Sequence, residues 1–193
     1  MHHNAGVHPI GDNRGMDILI VYGTTEGQTR KIVRFLTDRF RGAGHAVTEA
    51  DAADGLATTI SDFDRVILAA SVHAGRYQSS IVHLARANHD ALTARRAVFL
   101  SISLTAASDD VEERQGLEEC VEKFAHETGW TPNHVEHVAG AFRFTQYDFF
   151  KGLVMRSIAA RHNIKVARGA DLELTDWDAL ACFANNFAGP PGN

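Results

Sequence analysis

Residues 21–33 read VYGTTEGQTRKIV, and this stretch decides the architecture. It closes the apolar run MDILIVYG (16–23), crosses a few small and polar residues, and enters GQTRKIVRFLTDRFRGAG (27–44). A short, unbroken apolar run suits a strand covered on both faces. Beyond Gly27, the apolar residues Ile32, Phe35, Leu36 and Phe40 recur at helical spacing, and the closing glycines stop the helix. The junction is therefore a strand, a polar loop and the N-terminus of a helix.

The same alternation continues along the chain. HAVTEAD (45–51), DRVILAAS (64–71), RRAVFLSISL (95–104) and HVEHVAGAF (134–142) are predicted strands. Helices are predicted over 78–91, over 108–128 and over 175–188, the last with Thr175 or Asp176 as its N-cap. Asp109, Asp110, Glu112 and Glu113 crowd the start of the second of these, where the helix dipole favours acids. Strands alternating with helices imply crossover connections, hence an α/β protein with a parallel sheet covered on both faces. Such sheets bind ligands beyond the carboxyl ends of their strands, near the point where strand order reverses. The loop after residue 23 lies at that edge.

Thr24, Thr25, Gln28 and Thr29 bring three hydroxyls and an amide to the loop, and Gly23 and Gly27 let its backbone turn tightly. The helix beyond aims its free N–H groups and positive dipole end back into it, which suits a phosphate without any lysine. Neither GxxxxGK[ST] nor GxGxxG is present, so the usual nucleotide and dinucleotide loops are absent. Two readings fit: a phosphate cradle, or a polar turn capped by Thr25.

Composition bounds the rest. The chain has 193 residues and a net charge of −5, a balance that argues against nucleic-acid partners. One domain is expected over 16–188, after a disordered leader (1–15) without the apolar core of a secretory signal and before a short tail (189–193). No apolar run is long enough to span a membrane, and a cytoplasmic location is expected. Cys120 and Cys182 lie far apart and read as two free thiols of a reducing compartment. His134 and His137 lack further ligands, so no metal site is expected. No nucleophile–base or paired-carboxylate pattern assigns a catalytic residue.

VYGTTEGQT resembles the phosphate loop of flavodoxins. ASVHAGRYQSSI (70–81), VAGAFRFTQYDFFKGLVMRSIAARH (138–162) and LTDWDALACFA (174–184) resemble one branch of that fold, the menaquinone-dependent protoporphyrinogen oxidases. The resemblance implies a doubly wound five-stranded parallel sheet of order 2-1-3-4-5 with an extra segment (143–170) after the last strand. It implies noncovalent FMN held by Thr24, Thr25, Glu26, Gly27, Gln28 and Thr29. Ser71, Val72, His73, Gly75 and Tyr77 would join from the next loop, and Ser101, Ser103, Leu104 and Thr105 from the one after. Glu26 departs from the small or neutral residue usual there, and is expected to face solvent with only its N–H turned inward. His73 reads either as a flavin-bonding or proton-shuttling group, or as an exposed loop histidine. The implied reaction is protoporphyrinogen IX to protoporphyrin IX in three two-electron rounds with a quinone as acceptor, in heme biosynthesis. Arg143 and Tyr147 are the candidate substrate contacts.

Two features separate this branch from electron-carrying flavodoxins, the alternative within the fold. Carriers clamp the flavin between aromatic side chains, whereas SLTAASDD (103–110) has none. An open ring face would admit a substrate, unless Phe142 or Phe144 covers it. The second feature is charge: from Arg143 to Arg168 six basic side chains face one acid, Asp148, a local charge of +5 interleaved with aromatic residues. An amphipathic helix is predicted over 147–161. Three readings stay open for the segment: a lid, a peripheral contact with anionic lipid, or a site for a flat acidic ligand.

Overall fold

The computed structural model describes residues 15–24, 27–142 and 172–189. Thr25, Glu26, Arg143, Tyr147, the helix expected over 147–161, nearly all of the expected leader and the last four residues lie outside them.

Five strands form one parallel sheet in the order β2-β1-β3-β4-β5. They are β1 (Asp17–Gly23), β2 (Ala46–Asp51), β3 (Arg65–Ser71), β4 (Arg96–Ser103) and β5 (Val135–Ala139). After Asp17 every residue of β1 is buried, as a central strand covered on both faces requires. Alternate side chains divide between two cores. Leu19, Val21, Val66, Leu68 and Phe99 face α2 (Ser79–Ala87), α3 (His89–Ala94) and α4 (Val111–Thr128). Ile18, Ile20, Ile67, Val98 and Leu100 face α1 (Gln28–Gly42) and α5 (Trp177–Ala188). The first core holds an aromatic cluster in which Phe99 and Phe124 stack with centroids 4.4 Å apart and Tyr77 and Trp130 close around them edge-on.

Three expected elements take a different form. The helix expected over 78–91 breaks at Asn88, whose side-chain amide donates to the Leu84 carbonyl and ends α2 before α3 starts. The helix expected from Ser108 begins at Val111, because Asp110 leaves helical geometry to cap it; a short 3-10 turn (Thr105–Ala107) precedes it. The strand expected over 134–142 is interrupted at Gly140, whose N–H donates to the Ser103 carbonyl. Beyond it β6 (Ala141–Phe142) leaves the sheet and pairs antiparallel with β7 (Leu172–Glu173), a strand the sequence pattern did not indicate.

Candidate functional site

The register brings the carboxyl ends of β1, β3, β4 and β5 level: Gly23 lies opposite Ala70, Ser71 opposite Ile102, and Ser103 opposite Ala139. Order reverses between β1 and β3, so the loops leaving these two strands flank the crevice where ligands bind in this architecture.

The loop after β1 ends on Gly27, at φ +86°, a left-handed conformation that glycine adopts without penalty. Gly23 serves differently from the tight turn expected of it. A Cβ there would lie 2.7 Å from Ile81 Cγ1, so its role is the close approach of α2 to β1. Thr24 Oγ1 accepts from the Gly27 N–H at 3.0 Å. Among the described residues no side chain caps the first turn of α1, and that turn contains no acid. Thr29 Oγ1 is buried there without a partner among the described residues. Thr37, two turns further along, shares that property against the core, but only Thr29 belongs to the N-terminal turn. Gln28 turns its amide toward the returning segment, where Nε2 donates to Thr175 Oγ1 at 3.0 Å. Thr175 in turn donates to the Ala139 carbonyl at 2.7 Å, so it ties α1 to the end of β5 and leaves Asp176 to cap α5. Lys31 pairs with Glu173 beside it, and that hydrogen bond holds the Glu173 carboxyl below the usual range.

The loop after β3 makes a tight reverse turn. His73 and Arg76 exchange backbone hydrogen bonds of 2.7 and 3.0 Å around Ala74 and Gly75, both with positive φ (48° and 73°). Two positive φ values in a two-residue hairpin loop define a type I′ turn, in which Ala74 is strained for want of being glycine. His73 and Gly75 are exposed at this turn, and Cys120 Sγ donates to the Gly75 carbonyl from α4. The Val72 N–H donates to Ile102 and continues the sheet.

Two residues expected at the cofactor face the core instead. Tyr77 packs its ring against Phe99 and Phe124, and its hydroxyl lies 2.8 Å from Ser101 Oγ. Burial pushes the Tyr77 hydroxyl pKa far above its ordinary value. Ser101 is fully buried and its hydroxyl serves Tyr77. Ser101 is turned inward by the alternation of β4 and Tyr77 by the turn at His73–Arg76, which a motif match does not see. Ser103, Leu104 and Thr105 do lie at the edge, where Ser103 Oγ accepts from the Ala106 N–H and from Thr105 Oγ1. Sequence reasoning missed Gln78, whose Nε2 donates to Ser71 Oγ at 2.7 Å. The signal available was the turn itself, since pairing continued from His73 opposite Arg76 sets Ser71 opposite Gln78.

In the described loops after β3 and β4, Tyr77 turns its ring into the core, and residues 103–110 contain no Phe, Tyr or Trp. Elsewhere, His134 bonds Glu136, His137 lies 3.2 Å from Glu118 of α4, and Cys120 and Cys182 are free, the first buried and the second exposed.

The chain matches the Flavodoxin domain family over residues 19–165. It is 28% identical over 177 residues to a protein named protoporphyrinogen IX dehydrogenase [quinone] from Leishmania major, across 90% of this chain and 75% of that one. It is 25% identical over 173 residues to a protein of the same name from Escherichia coli K12, across 90% of this chain and 95% of that one. Among solved structures it resembles the rubredoxin oxygen:oxidoreductase of Desulfovibrio gigas, with a TM-score of 0.49 and 14% identity, covering 91% of this chain and 36% of that one. With its five-stranded sheet in the order 2-1-3-4-5 and its hydroxyl-rich loop opening α1, this chain belongs to the flavodoxin-domain family.

Proposed function

We propose that this protein is an FMN-dependent oxidoreductase that oxidises protoporphyrinogen IX to protoporphyrin IX and passes the electrons to a quinone. The residues at the edge fit the cofactor. Among the described residues, the uncapped first turn of α1, which carries no acid, and the unpartnered Thr29 hydroxyl offer a polar place for a phosphate, with Thr24 holding the loop in position. The Thr25 hydroxyl and the Glu26 N–H are proposed to complete it. Ser71, Val72, His73 and Gly75 from one side and Ser103, Leu104 and Thr105 from the other are proposed to line the flavin. Bound FMN supplies two-electron redox chemistry, while the protein supplies binding, orientation and access.

The observation that carries the reading is the make-up of the described loops: Tyr77 turns its ring into the core, and residues 103–110 contain no Phe, Tyr or Trp to stack on a flavin. A substrate can then meet the flavin face directly. Support for its identity comes from the two relatives' names, at 25–28% identity over nine-tenths of this chain. Three rounds remove six electrons and six protons from the porphyrinogen and reduce three quinones. Arg143 and Tyr147 remain the proposed substrate contacts, with the cations of 143–168 facing the propionates or an anionic membrane surface. Among the described residues no helix is long and apolar enough to cross a membrane.

The test is anaerobic. Protoporphyrinogen IX added to the FMN-loaded protein should bleach the flavin band as porphyrin absorbance rises, and a soluble naphthoquinone should restore it. A flavin that stays oxidised under these conditions rejects the porphyrinogen assignment. Accumulation of a long-lived semiquinone on photoreduction would point instead to a one-electron carrier.

A further inference from the structure

The notch between the ends of β1 and β3 contains a polar pair, Ser71 and Gln78, of which the resemblance assigns a role only to Ser71. Gln78 is the N-cap of α2, at φ −58° and ψ 137°, yet its side chain does not cap that helix. It reaches back instead to Ser71, where Nε2 donates to Oγ at 2.7 Å. Its carboxamide also packs on β1: a Cβ built on Gly23 would lie 3.2 Å from Gln78 Oε1. Gln78 therefore fills the switch point beneath the phosphate loop, and Gly23 leaves it room.

The direction of this hydrogen bond matters. A carboxamide nitrogen has no lone pair to offer, so the Ser71 hydroxyl oxygen accepts and its proton must point elsewhere. Among the described residues that proton has no acceptor, and Ser71 is only half-buried, at the edge that opens to the ligand. The type I′ turn at His73–Arg76 brings the two residues together. Continuing its pairing places Ser71 opposite Gln78 and sends Tyr77, on the alternate side, into the core.

We propose that Gln78 is a positioning residue that fixes the Ser71 hydroxyl as a hydrogen-bond donor toward an acceptor oxygen of the bound cofactor. The inference rests on the FMN reading above. Gln78 does not touch the cofactor in this account; it sets which way Ser71 points.

The experiment is a double-mutant cycle on FMN affinity, read by quenching of flavin fluorescence, with Gln78→Met, Ser71→Ala and the pair. Each single change should weaken FMN binding about threefold to tenfold, the worth of one hydrogen bond. The pair should bind no worse than Ser71→Ala alone. Ser71→Thr, which keeps the hydroxyl, should restore affinity and should lose it again with Gln78→Met. Thermal unfolding of the apoproteins separates this from damage to α2, because a purely structural role would lower stability with multiplicative losses of affinity. Multiplicative losses, or unchanged affinity in Gln78→Met, overturn the assignment. Wild-type protein that binds no FMN overturns the cofactor reading and this inference with it.

Discussion

The helices that follow β1 and β4 begin at the same edge of the sheet and end their first turns in opposite ways. Asp110 caps α4 by accepting from the N–H groups of Glu112 and Glu113 at 2.9 and 3.3 Å, and two glutamates complement the dipole. Asp176 does the same for α5 with Asp178 and Ala179. Among the described residues, the first turn of α1, entered through Gly27, has neither a side-chain cap nor an acid. A helix whose orphan N–H groups are satisfied from within is finished as a structural element. We propose that α1, left open among the described residues beside the switch point, keeps those groups for a ligand.

The sharpest way to break this comparison is to alter the open helix and look for an effect only when the ligand is present. Thr29→Ala removes a buried hydroxyl that has no partner among the described residues, so the apoprotein should keep its stability or gain slightly. FMN affinity should fall by about 1.5–3 kcal/mol, the worth of a hydrogen bond to a charged group. Equal losses in apo stability and affinity would make Thr29 a core residue. The capped helix should answer in reverse: Asp110→Ala should cost about 1 kcal/mol of folding stability in urea unfolding and leave FMN affinity alone.

Two smaller effects sharpen the edges of the picture. Ala74, at φ +48°, carries strain of about 1–2 kcal/mol that glycine would relieve. Glycine's extra freedom in the unfolded chain offsets part of that gain, so Ala74→Gly should stabilise by about 0.5–1 kcal/mol in the same assay. The smallest effect concerns the tie between α1 and β7. Lys31 depresses the Glu173 pKa, so this pair contributes fully above the unfolded carboxyl value of about 4.3. The contribution is lost as pH falls through the lower folded value. Glu173→Gln should therefore cost less than about 1 kcal/mol at pH 7, solvent-screened as the pair is, and nothing in strong acid. Melting temperatures across pH 2–7 would show the two proteins converge; a constant gap would exclude titration of this carboxyl as its cause.

Much of this was legible because the deciding patterns are local. The apolar strands, the turn chemistry of Gly27 and the resemblance carried by VYGTTEGQT were enough for a parallel sheet of order 2-1-3-4-5 and for placing the loop after β1 at its carboxyl edge. What failed to show depends on partners distant in sequence. The end of β5 at Gly140 is set by Ser103 and Leu174, whose backbone groups flank it. The choice of Asp176 over Thr175 as cap follows from Thr175 being held by Ala139 and Gln28. Tyr77 matched a family position while the turn at His73–Arg76 aimed it at Phe99, and Gln78, its neighbour, was assigned no role and faces Ser71. The break at Asn88 was local and could have been read, since asparagine favours both ends of short helices.

The most direct test of the central claim, that the open end of α1 holds the cofactor's phosphate, is a parallel titration of the apoprotein with FMN and with riboflavin. The two ligands share the ring and the ribityl chain and differ only in the phosphate. FMN should bind at least about tenfold more tightly, the value of a single charged hydrogen bond, and Thr29→Ala should narrow the gap. Equal affinities for the two would contradict the account and return the loop to a polar turn.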